Sequence, residues 1–265
     1  MIWVAWGLAA TPAAAKAESS EEESALLDGV SLDYETGVLA VLQNDNRYGA
    51  EGTKYGAGDV NQRDNLAVVQ RVGVETAIGR HTAVLLYAPL EISTRAVLPD
   101  DIQFRDELFE AGTGVDHRYL FDGYRASYLF RLVDGTRVRL DAGASAQIRN
   151  ANVSLTALDG EQYADESDIG LVPAAKIRLR YQSEAGAYAL FEADGLSTFG
   201  LVGDTRGGLY DAALGLGVPV TRSLDVLVRA RGYGGGAEVP DREIENWAHF
   251  LSFVVAARVE LTQLF

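Results

Sequence analysis

The chain has 265 residues with 28 glycines, six prolines and no cysteine, and its formal net charge is −15 at pH 7. That length suits one large all-β unit. The missing cysteines exclude a disulfide framework and thiol chemistry, and the acidic balance excludes the basic footprint that nucleic-acid binding needs.

Residues 1–17 read as a signal peptide, an apolar stretch closing on Ala15 and Ala17 at the small-residue cleavage positions. Residues 18–35 open on the tract Glu18-Ser19-Ser20-Glu21-Glu22-Glu23-Ser24 and read as an acidic linker. Residues 36–265 are read as one barrel domain. No apolar run of about 20 residues follows the N-terminus, so no transmembrane helix is expected, but strands that cross a membrane need only about 9–11 residues.

From Gly37 the sequence alternates with a period of two, the signature of strands whose two faces differ. A first strand, Gly37 to Gln43, is nearly all apolar and its facing is open. A second, Leu66 to Ile78, sets Arg71, Gly73 and Glu75 against Val72, Val74, Thr76 and Ile78. A third, Thr82 to Val97, is read with Val84, Leu86, Ala88, Leu90 and Ile92 outward and Tyr87, Glu91, Ser93 and Arg95 inward. The fourth, Tyr119 to Leu132, and the fifth, from Val138 to Arg149, join through Asp134-Gly135, a favoured hairpin turn. Leu171 to Tyr181 and Ala187 to Asp194 form the next pair, and Tyr210 to Val218 and Leu224 to Arg231 the one after.

The last strand, Phe253 to Phe265, carries Phe253, Val255, Ala257, Val259, Leu261, Gln263 and Phe265 on one face and Arg258, Glu260 and Thr262 on the other. It resembles the closing strand of Gram-negative outer-membrane β-barrels. That resemblance implies an assembly machinery that reads the terminal Phe265, a bacterial outer-membrane location, and contact with outer-membrane lipid and lipopolysaccharide. The pattern gives a transmembrane antiparallel up-and-down β-barrel of about ten strands, or twelve if residues 25–35 or 98–118 add strands. Links near 79–81, 133–136, 182–186 and 219–223 are short, whereas those near 44–64, 98–118, 150–168, 195–208 and 233–247 are long, the asymmetry of periplasmic turns and external loops. The Gly232-Tyr233-Gly234-Gly235-Gly236 run is read as part of an external loop, and Tyr119, Tyr210 and Trp247 as interfacial aromatics.

Positive charge is nearly all arginine, with Lys16, Lys54 and Lys176 the only lysines; arginine is the cation of partly buried multidentate pairs. The inward positions collect Arg71, Arg95, Arg125, Arg131, Arg137, Arg139, Arg149, Lys176, Arg178, Arg180, Arg229, Arg231 and Arg258 against Glu75, Glu91, Asp141, Glu192, Asp194, Asp211, Asp225 and Glu260. Thirteen cations against eight acids leave a lumen positive by five. Two uses follow: an ion-paired filling, as expected for a narrow barrel, or a restricted anion-favouring passage.

The leading functional reading is therefore non-enzymatic, structural or binding, and without a cofactor. Acidic loops, Asp100, Asp101, Asp106, Glu107 and Glu110 in one and Asp159, Glu161, Asp165, Glu166 and Asp168 in another, offer oxygen ligands of the kind Ca²⁺ takes. His117 beside Asp116 is a candidate general base near the outer rim, although neighbours on a strand face opposite ways. Val41-Leu42-Gln43-Asn44-Asp45-Asn46, followed by Gly52-Thr53-Lys54-Tyr55-Gly56, looks weakly like a segment of calcium-dependent lipid A 3-O-deacylases. That likeness implies oxyanion and calcium roles for Asn44 and Asp45 and gives the alternative function.

Overall fold

A computed structural model describes residues 28–198 and 206–263. Residues 1–17, most of the acidic linker and Phe265 lie outside the described residues. Strands run over Gly29–Tyr48 (β1), Leu66–Ile78 (β2), His81–Val97 (β3), Ile102–Phe104 (β4), Glu107–Phe109 (β5), Gly114–Asp134 (β6), Val138–Ala157 (β7), Tyr163–Gln182 (β8), Tyr188–Ser197 (β9), Arg206–Pro219 (β10), Leu224–Val239 (β11) and Ile244–Glu260 (β12). All but β4 and β5 join one closed antiparallel barrel of neighbouring strands, sealed by β1 against β12. Ten strands close the wall, and β4 and β5 form a separate hairpin in the link between β3 and β6.

The strands are far longer than a bilayer requires. With 21 residues at roughly 3.3 Å each, β6 runs about 70 Å, against a hydrocarbon core of about 30 Å. Outward side chains are mainly apolar in the lower part, as from Tyr124 to Leu132 on β6 and from Leu140 to Ile148 on β7, a span matching one membrane crossing. Much of what the sequence offers as long loops is strand that continues above the lipid. Gly232–Gly236 lies inside β11, and a single 3₁₀ turn, Pro240–Arg242, links β11 to β12.

Three features differ from the sequence reading. The first strand starts at Gly29 rather than Gly37 and includes Asp33 and Glu35, residues assigned above to the linker. A bulge between Val41 and Gln43 then shifts its parity, so that Leu39 and Val41 below it and Asn44, Asn46 and Tyr48 above it all face inward and are buried. On β3 the facing is inverted. Val84 lies opposite Glu75 and Leu86 opposite Gly73, and directly opposed residues share a face, so Val84 and Leu86 point into the lumen with them. Glu91 and Arg95 consequently point outward, and Tyr119, taken for an interfacial residue, is buried inside.

The upper interior holds the main apolar core. Residues from the 49–65 link and the β4–β5 hairpin, among them Tyr55, Val60, Phe104 and Phe109, fold onto inward Leu39, Leu90, Ile92, Leu155 and Phe250. Thr53 donates its backbone N–H to the Gln103 carbonyl at 2.9 Å, and Arg105 donates its own to that of Tyr48 at 3.0 Å, tying both links into one cap.

Candidate functional site

In the membrane-level lumen the charged side chains reach across the barrel to one another. Glu35, 2% exposed, accepts from Arg229 at 2.6 Å and Arg231 at 3.2 Å and lies 3.5 Å from Arg71. Arg229 also grips Asp33 at 2.9 Å. Asp211 accepts from Arg71 and Arg231 at 2.7 Å and from Arg125 at 3.1 Å. Asp194 takes Lys176 at 2.7 Å and Arg125 at 3.0 Å and accepts from Ser145. Lower down, Arg178 bridges Glu75 at 2.9 Å and Glu192 at 2.8 Å, and Arg258 shares Glu75 at 2.8 Å.

The periplasmic end is also filled. Arg180 lies 3.7 Å over the ring of Tyr188, whose hydroxyl donates to Asp225 at 2.9 Å. Gly217 makes room for that ring, because a Cβ there would come within 2.4 Å of it. Arg131 sits 3.5 Å from Asp141, and Arg139 is half exposed at the rim, 3.6 Å from Asp134. Glu260 accepts from Thr262 at 2.8 Å. The space left within the network is about 70 Å³, room for a few waters.

Charge parity replaces the expected positive lumen. At membrane level the inward cations are Arg71, Arg125, Arg131, Lys176, Arg178, Arg180, Arg229, Arg231 and Arg258. The inward acids are Asp33, Glu35, Glu75, Asp141, Glu192, Asp194, Asp211, Asp225 and Glu260, nine against nine, and Arg139, opposite Arg180, adds with the facing Asp134 one charge of each sign at the periplasmic rim. Asp33 and Glu35 are the members missed, although Ser31-Leu32-Asp33-Tyr34-Glu35 alternates polar and apolar like every other strand. Glu91 and Arg95 do not belong to the lumen at all. They form exposed ladder pairs on the outer wall, Glu91 with Arg118 at 3.0 Å and Arg95 with Asp116 at 2.8 Å. Arg137 pairs with Glu184 at the periplasmic turns, and Arg149 stands above the network, paired with Asp168.

Above this floor the interior opens into a cavity of about 640 Å³. Leu86, Ala88, Phe121, Val153, Val172 and Tyr233 give it apolar walls, while Arg71, Arg125, Gln147 and Asp211 form its base. A clasp closes it from above: Arg242 reaches Asp168 at 2.7 Å and Glu166 at 3.1 Å, and Arg105 reaches Glu166 at 2.6 Å. Tyr233 and Arg71 meet at the base, the guanidinium 4.7 Å over the ring. The Tyr233 hydroxyl makes no hydrogen bond there, whereas the Arg71 Nε is turned to Glu35 at 3.5 Å, which leaves one donor at the bottom of an apolar chamber.

The residues suspected of catalysis are not assembled for it. Asn44 and His117 do meet, through Gln62: Asn44 Nδ2 donates to Gln62 Oε1 at 2.7 Å, so the amide nitrogen of Gln62 faces His117 Nδ1 at 3.1 Å. Both are buried inside the cap, His117 at 1% exposure. His117 lies above the membrane-spanning part of β6, and burial pushes its pKa down to about 4. Asp45, on the neighbouring outward position, accepts from Gln43 at 2.7 Å, and Asp116 faces Arg95 on the outer wall. His249 joins Tyr210 at 3.2 Å, His81 joins Tyr128 at 2.7 Å, and no histidine lines the cavity. Among the described residues no three acids or histidines come together as a metal site; Glu166 and Asp168 of the second acidic segment are held by arginines instead.

The exterior decides the class. Leu85, Leu171, Leu214, Leu216, Val228, Phe253 and Val255 are each more than half exposed, a continuous apolar wall that water does not tolerate at this size, wrapped around an ionic interior. The fold is that of an outer-membrane β-barrel. It is similar to the outer-membrane protease OmpT of Escherichia coli, with a TM-score of 0.55 at 10% identity over 88% of this chain and 97% of that one. A FadL homologue of Pseudomonas aeruginosa matches with a TM-score of 0.40 at 9% identity over 88% and 90%. Ail of Yersinia pestis matches at 0.38 and 10% over 88% and 99%. The sequence matches no family model and no curated protein.

Proposed function

We propose that this outer-membrane barrel is a non-conducting binding protein that holds an apolar molecule, carrying a hydrogen-bond acceptor, in the chamber above its ionic floor. The observation that carries the reading is the stacking of the two spaces: a chamber of about 640 Å³ directly over a network that leaves about 70 Å³. Chambers of this size with mostly apolar walls and few polar groups are the usual small-molecule sites. The Tyr233 hydroxyl, a donor without a partner, favours a ligand whose acceptor points down. The carboxylates that line the chamber, Glu166, Asp168 and Asp211, are each held by two or more arginines, which disfavours a free general base. Outer-membrane lipid and lipopolysaccharide are its surroundings on this reading, contacted by the apolar belt.

The test pairs conductance with binding. Purified barrel in planar bilayers is expected to show no steady current, and 1-N-phenylnaphthylamine is expected to bind with raised fluorescence. Ala88→Trp, which fills the chamber, is expected to weaken that binding at least tenfold while the barrel still folds. A steady open current, or probe binding untouched by Ala88→Trp, would overturn the proposal.

A further inference from the structure

We infer that the chamber selects its ligand at its upper end as well, through Asn246, whose Oδ1 is held as a fixed acceptor and takes a ligand that carries a hydroxyl or amide donor there. This rests on the binding reading above and completes the ligand's chemistry: an extended apolar molecule with an acceptor at its lower end and a donor at its upper one.

A side-chain amide has a donating and an accepting end of the same shape, so its partners decide which way it faces. Asn246 on β12 stands opposite Asn46 on β1, above the bulge that sets the parity of that strand, and it lines the chamber. The order begins at a group that cannot turn. Asn46 donates its Nδ2 to the backbone carbonyl of Asn44 at 3.2 Å, and a carbonyl only accepts. The Oδ1 of Asn46 therefore faces the other way, where it accepts from the Tyr48 hydroxyl at 3.0 Å and from Asn246 Nδ2. Turning Asn46 over would set its oxygen against the Asn44 carbonyl and its N–H groups against those of Asn246. The same order runs on into the cap, Asn44 turning its Oδ1 to Asn46 at 3.2 Å and its Nδ2 to Gln62 at 2.7 Å. With its nitrogen spent on Asn46, Asn246 presents its oxygen to the chamber.

Its neighbours at this level are committed elsewhere. Glu166 and Asp168 are held by the arginines around them, and Tyr48 gives its proton to Asn46. The two ends of the chamber are thus of opposite kind, the Tyr233 hydroxyl donating from the base and Asn246 accepting above. Phe250 stands opposite Tyr233, and Asn246 lies four residues further up β12, about 13 Å at roughly 3.3 Å per residue. Ala248 and Phe250 line the wall between them. A site that hydrogen-bonds a hydroxyl rejects an analogue without the donor, because the buried polar group is then left unpaired.

The probes are methyl 12-hydroxydodecanoate and methyl 12-methoxydodecanoate, alike in chain and ester, of which the second accepts but does not donate at its far end. Each is titrated against 1-N-phenylnaphthylamine bound to the full barrel in detergent micelles. The ratio of their two affinities is compared between variants, which cancels their unequal partition into detergent. Wild type is expected to favour the hydroxy ester at least tenfold more than Asn246→Leu does. Asn46→Leu removes the group that turns Asn246 and is expected to lose most of that preference, while phenylnaphthylamine itself binds within twofold of wild type. If Asn46→Leu does not fold, as read by heat-modifiable gel mobility, Asn246→Leu decides alone. Equal ratios in wild type and Asn246→Leu, a preference undiminished in folded Asn46→Leu, or esters that displace nothing from a barrel that binds phenylnaphthylamine, overturn the role given to Asn246 and leave the binding reading standing. Wild-type barrel that binds neither phenylnaphthylamine nor ester overturns both.

Discussion

Below the upper edge of the lipid belt, the strands are apolar outside and ionic inside; above it, the same strands are polar outside and apolar inside. On β6 the outward set passes from Tyr124, Tyr128 and Leu132 to Asp116 and Arg118, while the inward set passes from Arg125 and Arg131 to Val115, His117 and Tyr119. No register change is needed for this. Closure of the barrel fixes which residues face in, and the solvent on each side decides which chemistry is tolerated there. Where lipid surrounds the wall, a charged interior is stable because its members satisfy one another across the lumen; where water surrounds it, burial of apolar side chains inside does the work.

If the lower half is held by mutual satisfaction, taking one carboxylate away should cost more than any single change in the upper wall. Glu35→Ala removes the acceptor shared by Arg229, Arg231 and Arg71 and leaves buried guanidinium charge without its partner. Breaking a buried pair from one side costs about 3–5 kcal/mol. Urea unfolding followed by heat-modifiable gel mobility should show a loss of that size. A loss below about 1 kcal/mol would mean that water enters the lower lumen and that the floor is not sealed.

Legibility of the sequence followed the same division. The lower strands announce themselves because lipid enforces apolar-out alternation: β7 from Val138 to Arg149 and β8 from Leu171 to Tyr181 were read with the facing they have. On β3 the rule misled, because Leu90 and Ile92 belong to the upper interior and Glu91 and Arg95 to a watered wall, so the greasy face there is the inner one. On β1 the bulge after Val41 hides the parity, and the preceding acidic tract drew Asp33 and Glu35 into the supposed linker. That displacement removed two acids, one of them shared by three arginines, and accounts for two of the five false positive charges; counting Arg95, Arg137 and Arg149 with the network, less Glu91, supplied two more, and Asp134 opposite Arg139 the fifth. The chamber could not be read in advance at all, since its walls come from strands far apart in the chain and are apolar on a face expected to be ionic.

The upper half should be the acid-sensitive one. His117 is neutral and buried in the cap, with a pKa lowered to about 4 by burial, against about 6.5 when unfolded. Its neutral form is the one the fold accepts, so its contribution is complete above pH 6.5, declines as pH falls and is lost below about 4. That difference corresponds to about 3 kcal/mol. Hydrogen exchange in the 49–65 link should quicken between pH 6.5 and 4, and His117→Phe should flatten this dependence. Exchange independent of pH in the wild type would mean that His117 is hydrated and the cap open.

The smallest effect is expected on the outer wall above the lipid, where the same charges do the least. Glu91 and Arg118 form a two-pronged pair at 3.0 Å, good in geometry but half exposed to water. Exposed pairs of this kind contribute from nothing to about 1 kcal/mol and weaken with salt. Arg118 holds the Glu91 carboxyl below its usual range chiefly by hydrogen bonding, so whatever the pair contributes is present above pH 4.5 and fades on acidification. Glu91→Ala should therefore shift the unfolding midpoint far less than Glu35→Ala, and high salt should erase the difference from wild type. Should Glu91→Ala cost as much as Glu35→Ala, the outer wall at this height is shielded from water, and the boundary drawn here between lipid and solvent lies too low.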